Sequence, residues 1–181
     1  MAKMVMRMVQ LRDQNDGPVI KAAKAALETG NANYILIWIP EESENTLKNL
    51  LERACCARTT RNDAHDRNAV WFFETVNRLH VAYHGPHNLS ISTKTPEEKA
   101  IILLVDEACE SGNFDEINAV IPDTSAGEMR RRFNDMMKKR NYDWEKNCAA
   151  GRVYVSAFID FITFVYRLHS ESSGHHVIER N

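Results

Sequence analysis

The apolar positions of this chain follow a helical period along most of its length. Between residues 114 and 121, apolar side chains stand at positions 114, 117, 120 and 121, which is the spacing of one helix face. A helix over about 42–58 carries along one side Thr46, Leu47, Leu50, Leu51, Ala54 and Cys55. The alanine-rich residues 19–27 predict another helix, which Gly30 ends. No segment keeps a strand signal, so the sequence predicts an all-α fold.

The same plan of elements occurs twice along the chain. The tripeptide Arg-Leu-His closes both copies, at residues 78–80 and 167–169. Gly112 follows Gly30 by 82 positions, whereas the two tripeptides are 89 positions apart, so the second copy contains an insertion near 141–150. Each copy alone would expose an apolar face that its twin can cover. We therefore expect two tandem pseudo-symmetric helical repeats packed as one compact bundle.

Local signals divide the chain into five segments. Thr95-Pro96-Glu97-Glu98 combines a capping box with proline at the first helical position, so a helix starts there. Asp16 or its neighbour is expected to cap the first helix ahead of Pro18. In chain order we predict an N-terminal extension (1–15), repeat 1 (16–84), a linker (85–94), repeat 2 (95–170) and a polar tail (171–181).

Composition and charge limit which binding partners and which cellular location the sequence predicts. The 181 residues are 44% hydrophobic and have a net charge of −2, with acidic and basic residues interleaved. This balance predicts no nucleic acid and no membrane surface as a partner. No apolar run reaches the length of a membrane span, and the first twelve residues are too polar for a signal peptide. We therefore expect a cytoplasmic protein. The four cysteines show no paired metal-ligand spacing, and we expect them to be reduced, mostly core thiols.

The closing helices carry the residues suited to metal binding. If these helices cross near their C-terminal ends, His80 and His169 approach each other across the pseudo-twofold axis. Together with Glu74 they would form a ligand set suited to a transition metal ion, namely iron, zinc or manganese. Two facing histidines would equally suit a haem iron. Arg78 and Arg167 would then position the ligands or bind an anion.

The same residues also have a purely structural interpretation. A histidine in the last turn of a helix interacts favourably with the helix dipole, and a nearby arginine can bond the terminal carbonyls. Glu74 and Arg78 lie four positions apart and suit a surface ion pair. His80 and His84 have the same spacing, which would let two imidazoles meet one ion. Spacing alone favours the structural interpretation, because short patterns often match by chance.

Several separated motifs, in a fixed order, resemble one known family. They are Asp-Gly-Pro-Val at 16–19, residues 25–31, residues 72–80 and the second Arg-Leu-His. The chain resembles a bacterial and archaeal domain-of-unknown-function family over nearly its whole length. Members of that family typically begin, after a signal peptide, with a His-Cys-Asp motif shortly before Asp-Gly-Pro-Val.

This chain departs from the family pattern at three places. Leu11 and Arg12 stand where the pattern has His and Cys, and only Asp13 of that motif is present. Thr163 stands where the second closing helix would carry an extra histidine, and the sequence predicts no signal peptide. If the family uses those positions as metal ligands, the resemblance implies that this member has lost part of the set.

Two classes of function follow from the sequence. The first is a soluble helical protein that binds a metal ion or metallo-cofactor between its repeats through Glu74, His80 and His169. The alternative is a non-catalytic interaction module, or a small-molecule carrier, with an apolar groove between the repeats. Its partner would be a small molecule or another protein, and a homo-oligomer is compatible with either class. The sequence leaves open whether there is catalytic turnover.

Overall fold

Helices follow one another along the chain, as the hydrophobic period predicts. The structure, a computed structural model, describes residues 17–60, 67–120, 125–143 and 147–172, with only the backbone at 57–60. The helices are α1 (Pro18–Thr29), α2 (Asn33–Leu36), α3 (Glu44–Thr60), α4 (Arg67–His84), α5 (Pro96–Ser111), α6 (Asp115–Asn118), α7 (Ala126–Arg140) and α8 (Cys148–Ser172). Short 3-10 turns occur at Glu41–Ser43, Gly85–His87 and Ile91–Thr93. No strand occurs in these ranges, which confirms the all-α prediction.

The two predicted helix starts have different outcomes. At α5 the Glu98 amide donates to the Thr95 hydroxyl, and the Thr95 amide donates to the Glu98 carboxylate at 2.8 Å. The predicted capping box is therefore confirmed. At α1 the N-cap position is occupied by Gly17, and no side chain caps the helix. Asp16, the expected cap, lies outside the described residues.

A turn with the same hydrogen bonds ends the first helix of each half. Gly30 and Gly112 have φ values of 73° and 72°, in the left-handed region that glycine adopts without strain. The Asn31 amide donates to the Thr29 hydroxyl, and the Asn33 amide donates to the Asn31 side chain. The same two bonds recur 82 positions later among Ser111, Asn113 and Asp115. This recurrence supports the duplication, which stays an inference from the sequence.

A single hydrophobic core passes through both halves. In the first half, α4 packs on α3 and α1, while in the second half α8 packs on α7 and α5. The short helices α2 and α6 pack on α1 and α5, respectively. The buried apolar side chains form one cluster from Val19 in α1 to Val165 in α8. The helices therefore form one compact bundle rather than two separate lobes.

Arg152, near the start of α8, binds the first half directly. Its Nε donates to the Ile39 carbonyl at 3.2 Å, and its Nη2 lies 3.3 Å from the Leu36 carbonyl. Nη2 also donates to the Glu44 carboxylate at 2.5 Å, and this bond lowers the pKa of Glu44. The last carbonyls of a helix have no partner within the helix. A side chain from the second half thus satisfies backbone groups at the end of α2.

A partly buried ion pair also joins α1 to α5. Lys21 donates to the Asp106 carboxylate, whose side chain is 11% exposed. The Glu110 carboxylate lies 3.5 Å from the same ammonium group. Charges shielded from solvent in this way are screened by salt much less than surface charges. The two halves are therefore joined by charge as well as by apolar packing.

The helix α8 has the length and composition of a membrane-spanning segment. It has 25 residues, its most apolar window has a mean hydropathy of 1.5, and 44% of that window is buried within the fold. The sequence predicts no such segment, so this helix is more apolar than expected. In the structure it packs against α5 and α7 and supplies the core with Phe158, Ile162 and Val165. Its place in the core therefore accounts for part of its apolar content.

Gly151 marks the closest approach of α8 to the first half. A Cβ atom at this position would lie 2.3 Å from Ile37 Cγ2 and 3.0 Å from the Tyr142 hydroxyl. We expect Gly151→Ala to lower the free energy of unfolding by about 1–3 kcal/mol, because the buried Ile37 side chain or the helix must shift to admit the methyl group.

Gly127 provides the matched control, since a Cβ atom in that helical position meets nothing within 4 Å. Gly127→Ala should be neutral or should stabilise by up to about 1 kcal/mol. Chemical denaturation of both variants measures the difference. Equal effects at the two glycines would contradict the close approach at Gly151.

Candidate functional site

His80 is the most enclosed of the predicted site residues. Its side chain is fully buried, with 0% exposure. Its Nδ1 lies 3.0 Å from the Trp38 carbonyl oxygen, and its Nε2 accepts a hydrogen bond from the Leu89 amide at 2.9 Å. A carbonyl only accepts and an amide only donates. These partners assign the ring as neutral, with its proton on Nδ1 and the lone pair of Nε2 engaged by Leu89.

This arrangement, the His80 bridge (His80, the Trp38 carbonyl and the Leu89 amide), joins three segments of the chain. It connects α4 to the turn after α2 and to the segment after Gly85–His87. The segment predicted as a linker is packed at this point, because Asn88, Leu89 and Ser90 are all buried. Residues 85–94 thus contribute to the structure of the first half as well as connecting the two.

Burial keeps the His80 ring neutral. Desolvation lowers its pKa to about 4, and the hydrogen bond to the Trp38 carbonyl opposes that shift only in part. The nearby charges of His84 and Lys94 lower the pKa further. Protonation of Nε2 would also abolish its bond with the Leu89 amide, because both groups would then be donors. The His80 bridge therefore exists in the neutral state of the ring.

His169 makes the corresponding bond in the second half. Its Nδ1 lies 3.2 Å from the Val120 carbonyl oxygen. Val120 follows Trp38 by 82 positions, which is the offset of the first landmarks, while His169 follows His80 by 89. Each histidine thus contacts the equivalent carbonyl of its own half. This shared contact gives the repeated Arg-Leu-His a structural role.

The remaining predicted site residues lie at the surface. Glu74 and Arg78 are both exposed on α4. Glu74 and His80 are six positions apart, so they point about 120° away from each other around the helix axis. Arg167 has a side chain that is 61% exposed and lies 4.0 Å from the Glu171 carboxylate. These charges therefore face solvent rather than the His80 ring.

The described parts of the chain do not bring the predicted metal ligands together. They contain no group of three or more His, Cys, Asp or Glu side chains placed to hold a metal ion. A metal ion at His80 would have to displace the Leu89 amide, leaving a buried donor unpaired at a cost of about 1–3 kcal/mol. The set of Glu74, His80 and His169 stays a prediction, and the hydrogen bonds of His80 do not fit it.

An aromatic cluster fills the space between His80 and the second half. The Trp38 ring lies 5.9 Å from His80 and 6.2 Å from Phe158, in edge-to-face arrangements. Tyr154 stacks on Phe158 at 5.9 Å. On the other side, the His84 ring lies 4.7 Å from His80, and burial lowers the pKa of His84. The two halves thus meet through packed rings.

His84 has one polar atom without a partner in the described residues. Its Nε2 is buried and forms no hydrogen bond there. Burial disfavours the charged ring, which agrees with the lowered pKa. His80, the second imidazole of the predicted pair, has both ring nitrogens engaged by backbone groups. The four-residue spacing of these histidines therefore produces a ring contact rather than a two-nitrogen ligand set.

Cys109 is not an activated thiol. None of the four cysteines, all among the described residues, is in a disulfide, and Cys109 is buried beside α8. Desolvation raises the pKa of Cys109 to about 12, and the nearby Arg140 opposes that shift. A nucleophilic cysteine needs a lowered pKa and access to solvent. Cys109 is therefore an apolar core residue.

Sequence reasoning found His80 and His169 but not their partners. Those partners are peptide groups at Trp38, Leu89 and Val120, and a peptide group has no side-chain signature in a sequence. The one available signal was positional, since Trp38 and Val120 obey the 82-residue offset. Arg152 was also missed, because its binding to Ile39 spans 113 positions along the chain.

Comparison with known proteins gives one family match. A model described as "Family of unknown function (DUF6448)" matches residues 16–164. This span includes the turns at Gly30 and Gly112, the His80 bridge and most of α8. No curated protein and no solved structure matches the chain.

The His80 bridge predicts a stability that falls in acid. The pKa of His80 is about 4 in the folded protein, against 6.5 for an unshifted histidine, so the unfolded chain binds more protons between these values. The free energy of unfolding should therefore decrease as the pH falls from about 6.5 to about 4, by up to about 3 kcal/mol. Urea denaturation at a series of pH values measures this slope.

His80→Gln is the control, because glutamine keeps a donor and an acceptor but does not titrate. Its pH slope should be smaller than that of the wild type. Part of the slope should remain, since burial also lowers the pKa of His84. Identical slopes in the two proteins would contradict the assignment to His80.

Proposed function

The chain belongs to the DUF6448 family, whose function is unknown, and we propose that it is a non-catalytic helical binding module whose repeated histidines are structural. The observation that carries the proposal is the pair of equivalent bonds, His80 to the Trp38 carbonyl and His169 to the Val120 carbonyl. A residue that has the same internal contact in both halves recurs for a structural reason. Its recurrence needs no bound ligand as an explanation.

The distribution of reactive groups supports a binding role. The thiol of Cys109 is buried with a raised pKa, and the imidazole of His80 is enclosed and neutral. General acid–base catalysis needs a group that titrates near the working pH and reaches the substrate. Neither residue meets both conditions. The absence of a disulfide among the four cysteines, all in the described residues, suits a reducing compartment, and we propose a cytoplasmic location.

The competing function is metal binding between the repeats through Glu74, His80 and His169. It requires His80 to release the Leu89 amide and requires α4 to turn Glu74 inward. The two functions make opposite predictions about the histidine variants. In the binding module, replacing a histidine weakens the fold alone; in a metal protein, it also removes the metal.

Elemental analysis of protein purified without a histidine tag tests the proposal. We expect far less than one metal equivalent per chain and no change of melting temperature with a chelator. His80→Gln should lower the free energy of unfolding by about 1–3 kcal/mol, because at least one buried backbone group loses its best partner. His169→Gln should cost less, since this histidine is only partly buried.

His87→Gln is the matched control, because His87 is exposed and close in sequence to the His80 bridge. Its stability should equal that of the wild type within about 0.5 kcal/mol. A near-stoichiometric metal, or a haem absorption band, that disappears in both the His80 and the His169 variants would overturn the proposal and establish the competing function.

A further inference from the structure

The solvent side of α4 carries a regular stripe of exposed residues. The α4 stripe consists of Arg67, Trp71, Glu74, Arg78 and Ala82, which follow one another at helical spacing and are all exposed. Trp71 is 52% exposed, and its neighbour Val70 is 51% exposed. The described structure records no ion pair for Glu74 or Arg78. Opposite charges and a large aromatic side chain thus stand together on this face.

The equivalent stripe on α8 has three of its polar side chains engaged within the helix. It consists of Ser156, Asp160, Thr163, Arg167 and Glu171, each 89 positions after its α4 counterpart and each exposed. Arg167 lies 4.0 Å from Glu171 and 5.4 Å from the centre of the Phe164 ring. The Thr163 hydroxyl donates to the Ile159 carbonyl at 2.9 Å.

The α4 stripe lacks these internal partners. Ala82 takes the place of Glu171, and Thr75 takes the place of Phe164, so Arg78 has neither the carboxylate nor the ring that Arg167 contacts. Trp71 takes the place of the polar Asp160. The charged side chains on this helix face therefore have fewer partners within the chain in the first half than in the second.

The order of residues in the α4 stripe is complementary to itself. Glu74 and Arg78 are four positions apart, which is about 6 Å along the helix. When two copies of α4 pack antiparallel about a twofold axis between these residues, each Glu74 faces the Arg78 of the other copy. In the same register, Trp71 falls close to the small Ala82 of the other copy. Charge and side-chain size thus match simultaneously.

We propose that the α4 stripe is a self-association surface through which two copies of this chain form a twofold-symmetric dimer. Symmetric dimers use the same patch on both subunits, as this stripe allows. The inference rests on the proposed binding role, for which it names the partner. A single helix face is a small interface, so the dimer is expected to be weak and reversible.

Charge reversal at the stripe tests the proposal. The wild type should show a concentration-dependent monomer–dimer equilibrium in sedimentation equilibrium below about 1 mM. Glu74→Arg and Arg78→Glu should each weaken dimerisation about tenfold or more, because like charges then face each other. Arg167→Glu is the matched control on α8, and its dimerisation should equal that of the wild type.

Mixing the two variants distinguishes a direct Glu74–Arg78 contact between copies from a general effect of net charge on dimerisation. Glu74→Arg has arginine at both positions 74 and 78, and Arg78→Glu has glutamate at both, so an equimolar mixture should form heterodimers with about the affinity of the wild type. The double variant with both substitutions should regain self-association. Circular dichroism shows whether each variant is folded. Ala82→Glu is an independent test: the larger side chain should clash with Trp71 of the other copy and weaken dimerisation.

A monomeric wild type at about 1 mM would overturn the proposed dimer. So would a dimer that persists in both single variants, or a mixture that fails to associate. Binding of Trp71 to a different protein in place of a second copy would overturn it as well. These outcomes leave the proposed function standing, because that fails only when a stoichiometric metal is lost from the His80 and His169 variants.

Discussion

A neutral imidazole, enclosed between a carbonyl and an amide, connects the three segments on which the first half is built. Because both partners of His80 are buried backbone groups, separating the segments would leave polar atoms without water or protein partners. The bridge fixes the turn after α2, and this turn carries Trp38 and Ile37. Those two side chains meet Phe158 and the backbone of α8 at Gly151. The His80 bridge thus supports one of the contacts that join the two halves, alongside Arg152 and the Lys21–Asp106 pair.

The fold was predictable where its cause is local. The glycine turns at Gly30 and Gly112 and the capping box at Thr95 act within a few residues, so the sequence alone identifies them. The site was predictable only in part. His80 and His169 stand out as a repeated motif, but the carbonyls and amide that bind them carry no sequence signal. Glu74 and His80 lie on the same helix, but their side chains point about 120° apart around its axis. Glu74 therefore faces solvent while His80 faces the core.

The two halves combine a common scaffold with different surfaces. Inside, the same turn bonds recur at Thr29 and Ser111, and the same histidine contact recurs at His80 and His169. Outside, α4 and α8 present unlike residues at equivalent positions. The shared interior reflects what packing requires of any such helical unit. The differing surfaces are where the halves are free to take separate roles, since exposed positions away from the core tolerate substitution.

Arg152 has a consequence for the way this protein folds during synthesis. The carbonyls of Leu36 and Ile39 belong to the first quarter of the chain, but the side chain that binds them arrives more than 110 positions later. Domains generally fold as units while the N-terminal part emerges first from the ribosome. Here the carbonyls at the end of α2 gain their partner, the Arg152 side chain, only after the start of α8 has been made. The first half therefore reaches its final form only after the start of α8 has been translated.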